Sequence, residues 1–328
     1  MSQTALKEPR GLKGRAGKSA GWRWLPLLVL AWLGLLASPT IWADSVLTLA
    51  LGNGPDGSLR FAGDLVRLWD QLDEPDAHRL GLKVLADPAD RLRAVQERRA
   101  HFAIVDTASA VELIPRLNQV AAITILWPLL LHPLTRDAPQ LEVGLPLAQD
   151  TWVFPGGEYA FQWLTERQRR LAPNTKGNPG MAAFSDFPGK LSLRGKTLLL
   201  VPAPYPALEI ASAMEQGWEL TPLASSVVQE MKASKAWVVS SLLPKAQYPN
   251  QTRVLELPAT YLVMVGRVDL TPAMVRKMLE SVYGRRQGKA IANPLFDALD
   301  DRMSAVFAPL MPFHPEAVVA LNLPVRSP

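Results

Sequence analysis

The chain has 328 residues and no cysteine. That length suits two globular lobes, and the missing thiols exclude a disulfide framework, thiolate metal ligation and a cysteine nucleophile. The formal charge of +5 invites a nucleic-acid reading, but residues 1–23 hold six Lys/Arg against the single acid Glu8, while the remaining 29 basic and 29 acidic side chains balance. Beyond Arg23 no global field is left to attract a polyanion.

Residues 24–37 are a continuous apolar run, broken by Pro39 and followed by Ile41, Trp42 and Ala43. A basic flank, an apolar core and a small residue before Asp44 have the form of a secretory signal peptide. The uncharged stretch 24–43 is also about long enough to act as an uncleaved anchor. Both readings place the rest of the chain outside the cytoplasm, in the periplasm, because the basic flank stays inside.

The mature region opens with a predicted strand, 46–51, then Gly52, Asn53, Gly54, Pro55, Asp56 and Gly57, and a helix from Ser58 to about Leu72. Helical spacing puts Leu59, Ala62, Leu65, Val66 and Trp69 on one face. A strand at 82–86 precedes Asp87, Pro88 and a charged helix at 89–99; a third strand, 101–105, ends at Asp106 and Thr107, with a helix from Ala108. The apolar segment 120–126 closes this block. Residues 137–190 are rich in proline and glycine and read as an irregular insert containing one helix, 158–171, with a basic end at Arg167, Arg169 and Arg170. Alternation resumes with a strand at 197–201, Pro202 to Pro206, a helix from Ala207, strands at 236–240, 253–257 and 261–265, a helix from Thr271 and terminal helices around 290–307. Strands and helices alternating at this spacing predict an α/β fold with mostly parallel sheets and helices on both faces.

Four strings carry a family resemblance. Leu49 to Gly57 resembles an opening strand and glycine loop; Leu92 to Ala110, with Glu97 and Phe102 to Asp106, resembles a helix, strand and polar-residue segment. Leu193 to Lys196 resembles a second-lobe entry, and Pro312 to Ala317 a terminal turn. In this order they resemble the solute receptors of the TAXI branch of TRAP transporters. The resemblance implies a two-lobed type II periplasmic-binding-protein fold with a ligand cleft between lobes. Lobe 1 would comprise 44–136 and 255–328, lobe 2 would comprise 191–254, and 137–190 would be the insert. The chain departs from the family at Leu59 and Arg60, where paired tyrosines are usual, and at Asp87-Pro88 and Pro202 to Pro206, where glycine-rich turns are usual.

Ligands of open α/β sheets sit at the carboxyl ends of strands, which selects loops 52–60, 106–109, 202–206 and 240–242. The expected ligand-binding residues are Gly52, Asn53, Gly54, Ser58, Arg60, Asp106, Thr107 and Tyr205. A glycine loop opening a helix suits an anion through its free N–H groups, and Arg60 could add a charge-assisted bond. Gly52, Gly54 and Gly57 also match a dinucleotide fingerprint. However, Asp87 lies 30 residues after Gly57, against about 20 in that motif, and Pro55 stiffens the loop. His78, His101, His132 and His314 share no metal-ligand spacing, and no nucleophile elbow occurs. With the resemblance, the expectation is a non-enzymatic, monomeric receptor without cofactor that passes a small organic solute, a carboxylate by preference, to integral-membrane transporter subunits. The alternative is an exported or membrane-tethered interaction or sensory protein that kept the fold and lost the solute site.

Overall fold

The structure is a computed structural model that describes residues 46–54, 56–72, 78–136, 151–171, 179–182, 198–284 and 293–324. The leader, Pro55, the string 193–196 and much of the segment 137–190 lie outside the described residues. In chain order the elements are β1 (Val46–Leu51), α1 (Ser58–Gln71), β2 (Arg79–Val84), α2 (Pro88–Gln96), β3 (Phe102–Asp106), α3 (Thr107–Leu113), β4 (Val120–Thr135), β5 (Thr151–Val153), α4 (Glu158–Leu171) and β6 (Gly180–Met181). There follow β7 (Leu198–Ala203), α5 (Leu208–Glu215), β8 (Glu219–Leu220), α6 (Ser225–Ser234), β9 (Val239–Leu243), β10 (Leu255–Arg267), α7 (Pro272–Tyr283), α8 (Pro294–Asp297), α9 (Arg302–Phe307) and α10 (Pro315–Ala320).

The strands run in the order β2-β1-β3-β10-β4-β7-β5-β6, with β8 beside β4 and β9 beside β10. β1 pairs in parallel with β2 and β3, and β5 in parallel with β6 and β7. Between these two parallel sets lie β4 and β10, antiparallel to each other. β10 pairs with the first set and β4 with the second. The second half of β10 pairs with β3 through Leu262–Gly266 and its first half with β9 through Leu255–Ala259. The second half of β4 pairs with β7 through Leu130–Thr135. Two strands crossing between two α/β halves define a two-lobed, periplasmic-binding-protein-like α/β fold.

The sequence reading ends the fourth apolar segment at 126 and splits β10 in two. Proline usually terminates a strand because it cannot donate to the ladder. Here Pro128 and Pro133 lie inside β4 and Pro258 inside β10. Pro128 stands opposite Tyr261, beside a register shift between Tyr261 and Val263. The ladder shifts register beside the proline, while β4 goes on pairing with β10 as far as Leu130, where its pairing with β7 begins.

Three apolar clusters fill the space around the sheet. One lies under α2, α3, α4 and α6 and spans both halves, from Leu92 and Ala110 to Trp163 and Val228. A second gathers α1 and α7 on the opposite face of the first half, around Phe61, Trp69, Trp127 and Met278. The third lies under α5, around Leu199, Ile210 and Trp218. In α1 the buried stripe includes Phe61 rather than the expected Leu59, which is 50% exposed. Phe61 sits 4.6 Å from both Trp127 and Phe296, ring centre to ring centre, and aromatic packing of that kind adds to area burial.

The segment 137–190 is not wholly irregular. It supplies β5, β6 and α4, whose Tyr159, Ala160, Trp163 and Leu164 are buried. The terminal turn docks by backbone pairing: His314 donates its N–H to Ala122 O, and Ala122 donates to Pro312 O. His314 Nδ1 accepts from Glu316 N and so starts α10.

Candidate functional site

A cleft of about 560 Å³ opens between the two halves. From the first half it is lined by Gly52, Asn53, Gly54 and Asp56 after β1, by Pro88 and Arg91 of α2, and by Asp106, Ala108 and Ser109 after β3. From the second half come Pro155, Gly156, Glu158, Tyr159, Pro202 and Trp237, while Leu129, Thr260 and Leu262 of the crossing strands also line it.

The glycine loop is shaped by close approach and by sign of φ. A Cβ on Gly52 would stand 3.2 Å from Arg91 Nη1 and 3.4 Å from Asp56 Oδ2. Gly57 has φ of 80°, a left-handed conformation that favours glycine. Asp56 then folds back: its Oδ1 accepts from Ser58 N at 2.9 Å and from Ser58 Oγ at 2.7 Å. Burial raises the Asp56 pKa and Asp106 pushes the same way, while the Ser58 bonds and the Arg91 charge oppose the rise.

The sequence reading passes over Arg91. This side chain is 5% exposed, and its Nη1 donates to Ile104 O at 2.5 Å. Burial lowers its pKa, opposed by the charges of Asp56, Asp106 and Asp87. A signal for it does exist: Arg91 precedes Ala94 by three and Val95 by four, so it falls on the apolar stripe of α2. A cation on that stripe faces the sheet rather than solvent. Asp87 and Pro88, the departure from the family turn, begin this helix, because Asp87 accepts from Ala89 N at 2.9 Å and Pro88 takes the first helical position.

Of the expected ligand residues, Gly52, Asn53, Gly54 and Asp106 line the cleft. Asp106 also caps α3, accepting from Ser109 N and Ser109 Oγ, both at 2.8 Å. Ser58 is fully buried and committed to Asp56. Thr107 is fully buried, and its Oγ1 accepts from Tyr261 N at 3.2 Å, tying α3 to β10. Arg60 is exposed on α1 outside the lining. Tyr205 packs against the third apolar cluster rather than lining the cleft, and burial raises its pKa. Loop 240–242 does not line it, and Trp237 stands there instead.

Among the described residues, three that line the cleft carry a buried polar atom without a hydrogen-bond partner: Arg91 Nε, Tyr159 Oη and Thr260 Oγ1. Tyr159 is 3% exposed and Thr260 2%. Tyr159 meets Trp237 edge to face at 5.7 Å, and burial drives its pKa upward. An unpaired buried polar atom costs about 1–3 kcal/mol, and native structures hold few of them. Three such atoms belong to residues around this one cleft. Among the described residues no group of His, Asp and Glu is placed to hold a metal ion, and no helix is long and apolar enough to cross a membrane.

No protein-family model matches the sequence, and no curated protein matches it. Solved structures similar to the chain include the ligand-binding component of an ABC-type import system from Staphylococcus aureus, at 14% identity over 84% of this chain and 89% of that one, with a TM-score of 0.44. The aliphatic sulphonate binding protein SsuA from Escherichia coli has 12% identity over 85% and 78%, with a TM-score of 0.45. DarR from Vibrio fischeri, a transcriptional activator, has 14% identity over 79% and 74%, with a TM-score of 0.37. Strand order and the cleft define the class: a mixed α/β protein of two halves joined by two crossing strands, with a cleft lined from both.

Proposed function

We propose that this protein is an extracytoplasmic solute receptor. It binds a small anionic organic solute between its lobes and delivers it, chemically unchanged, to a TRAP-type membrane transporter. The observation that carries the reading is the cleft itself: it is lined from both lobes, it is of a size that suits a small organic molecule, and three of its residues bring unpaired buried polar atoms. The exported compartment rests on the basic and apolar leader, and the transporter partner on the TAXI resemblance. A lined cleft also favours a receptor over an interaction module that has lost its solute site. Lobe closure about the two crossing strands would couple binding to shape, the hinge motion such folds allow.

Native mass spectrometry of protein purified without denaturant tests the proposal. A co-purified molecule of a few hundred daltons or less, released on unfolding, is the expected result. A cleft that binds nothing in an equilibrium screen of organic acids, amino acids and sugars would remove the basis of the reading.

A further inference from the structure

We infer that Asn53 is a site of self-modification: in the folded protein the backbone nitrogen of Gly54 displaces ammonia from the Asn53 side-chain amide, leaving aspartate or isoaspartate on the cleft wall. This goes beyond the receptor reading and does not depend on any solute.

Asparagine is among the thermolabile residues, and the step needs a following nitrogen that can reach its Cγ. The chain holds seven asparagines, of which Asn53 alone is followed by glycine. Asn178 and Asn293 precede prolines, which have no N–H to give up. Two others are held by their side chains: Asn118 Oδ1 accepts from Gln96 Nε2 at 2.8 Å, and Asn293 donates to Asp64 Oδ2 at 2.7 Å. Asn53 and Gly54 are exposed, stand between β1 and α1 outside any regular element, and line the cleft. Among the described residues no hydrogen bond holds the Asn53 amide or the Gly54 N–H. A Cβ built on Gly54 meets nothing within 4 Å, and a glycine backbone turns more freely than any other. Water, room for ring closure and an unhindered nitrogen therefore coincide at this one pair.

The chemistry balances without an oxidant or a metal. Hydroxide takes the Gly54 amide proton, and the nitrogen attacks Asn53 Cγ. The new N–Cγ bond closes a five-membered imide, the Cγ–Nδ2 bond breaks, and Nδ2 takes a proton from water and leaves as ammonia. A water molecule then opens the imide. Attack at Cγ restores the chain with aspartate; attack at the main-chain carbonyl leaves isoaspartate, with the chain running through Cγ. Either product adds a carboxylate next to Gly52, where a Cβ would stand 3.4 Å from Asp56 Oδ2. Among the described residues lining the cleft, Asp56, Asp106, Glu112 and Glu158 already outnumber the single cation Arg91. A fifth acid makes the cleft more hostile to an anion as the protein ages.

The experiment is timed incubation of the folded mature protein between pH 6 and pH 9, followed by peptide mapping by mass spectrometry and by isoelectric focusing. The peptide ending at Arg60 should gain about one dalton at Asn53, in aspartate and isoaspartate forms, at a rate that rises several-fold per pH unit and exceeds that of every other asparagine. The chain beyond Arg23 balances 29 basic against 29 acidic side chains, so the aspartate product should focus as a more acidic band beside an Asn53→Asp standard. Gly54→Ala has space for its methyl, so it should melt with wild type and slow the conversion at least tenfold. Conversion that Gly54→Ala leaves unchanged overturns the inference. So does an Asn53 that stays intact in the folded protein, whether or not the urea-unfolded chain converts, because the native loop then withholds the Gly54 nitrogen.

Discussion

The hydroxyl of Tyr248 lies 3.1 Å from Nε2 of His132, and the two rings meet edge to face at 5.6 Å. His132 belongs to the crossing strand β4, and Tyr248 to the loop between β9 and β10. Nδ1 of His132 is 2.9 Å from Leu130 O. A carbonyl only accepts, so Nδ1 carries the proton and Nε2 accepts from Tyr248. The Tyr248 oxygen in turn accepts from Ala207 N at 3.1 Å, just before α5. The chain of bonds joins the hinge strand to the second lobe with a neutral imidazole at its centre.

Tyr248→Phe would leave His132 Nε2 and the Ala207 N–H unpaired in a buried place. Each lost partner costs about 1–3 kcal/mol, so urea denaturation should show a loss of at least about 2 kcal/mol. A midpoint indistinguishable from wild type would mean that the chain of bonds contributes nothing to stability.

Acid should act on the same network. Burial lowers the His132 pKa from 6.5 to about 4. Below pH 6.5 the unfolded chain takes up a proton that the folded protein refuses, so stability falls as the pH drops toward 4. The full difference corresponds to about 3 kcal/mol. Denaturation midpoints measured from pH 7 to pH 4 should decline, and His132→Gln should flatten the part of the decline that lies between pH 6.5 and 4.

Arg98 ends the turn after α2 with φ of 61°. A side chain in that left-handed conformation costs about 1–2 kcal/mol relative to glycine. The exposed ion pair from Arg98 to Asp269, at 3.2 Å, offsets this by about 0–1 kcal/mol. Arg98→Gly should therefore raise stability slightly, by up to about 1 kcal/mol once the added freedom of the unfolded glycine is counted. A clear loss in thermal denaturation would show that the ion pair outweighs the backbone.

Gly52→Ala places its methyl carbon 3.2 Å from Arg91 Nη1, so the guanidinium must shift by a few tenths of an ångström. Solute affinity should fall several-fold with little change in melting temperature. Gly57→Ala is different: φ is 80°, and the new carbon would lie 2.7 Å from Leu295 Cδ1 and 3.4 Å from Pro204 Cγ. That variant should lose about 1–3 kcal/mol of stability, read by the same melts.

Much of the first lobe was legible because its signals are local. Strand, glycine loop and helix follow one another directly from β1 to α1, and the carboxyl-end rule then points to Gly52, Asn53, Gly54 and Asp106. Ser58, Thr107 and Arg60 sit in the right loops or next to them, but their direction depends on what packs there. Ser58 turns inward to hold Asp56, Thr107 turns toward the Tyr261 N–H, and Arg60 stays on the outer surface of α1. Pro128, Pro133 and Pro258 hid the length of β4 and β10, since a proline reads as a strand end, whereas here each stands within a continuing ladder, against β10, β7 and β9 respectively.

The amino-acid order alone determined the α/β alternation, the confinement of the net charge to the segment ending at Arg23 and the strand ends that face the cleft. Each of these depends on neighbours in sequence, through periodicity, capping and turn chemistry. Only the tertiary structure brought Arg91, Tyr159 and Thr260 to one cleft. They lie on two helices and a crossing strand far apart in the chain, and their unpaired polar atoms become visible only when long-range packing has removed water and every other partner.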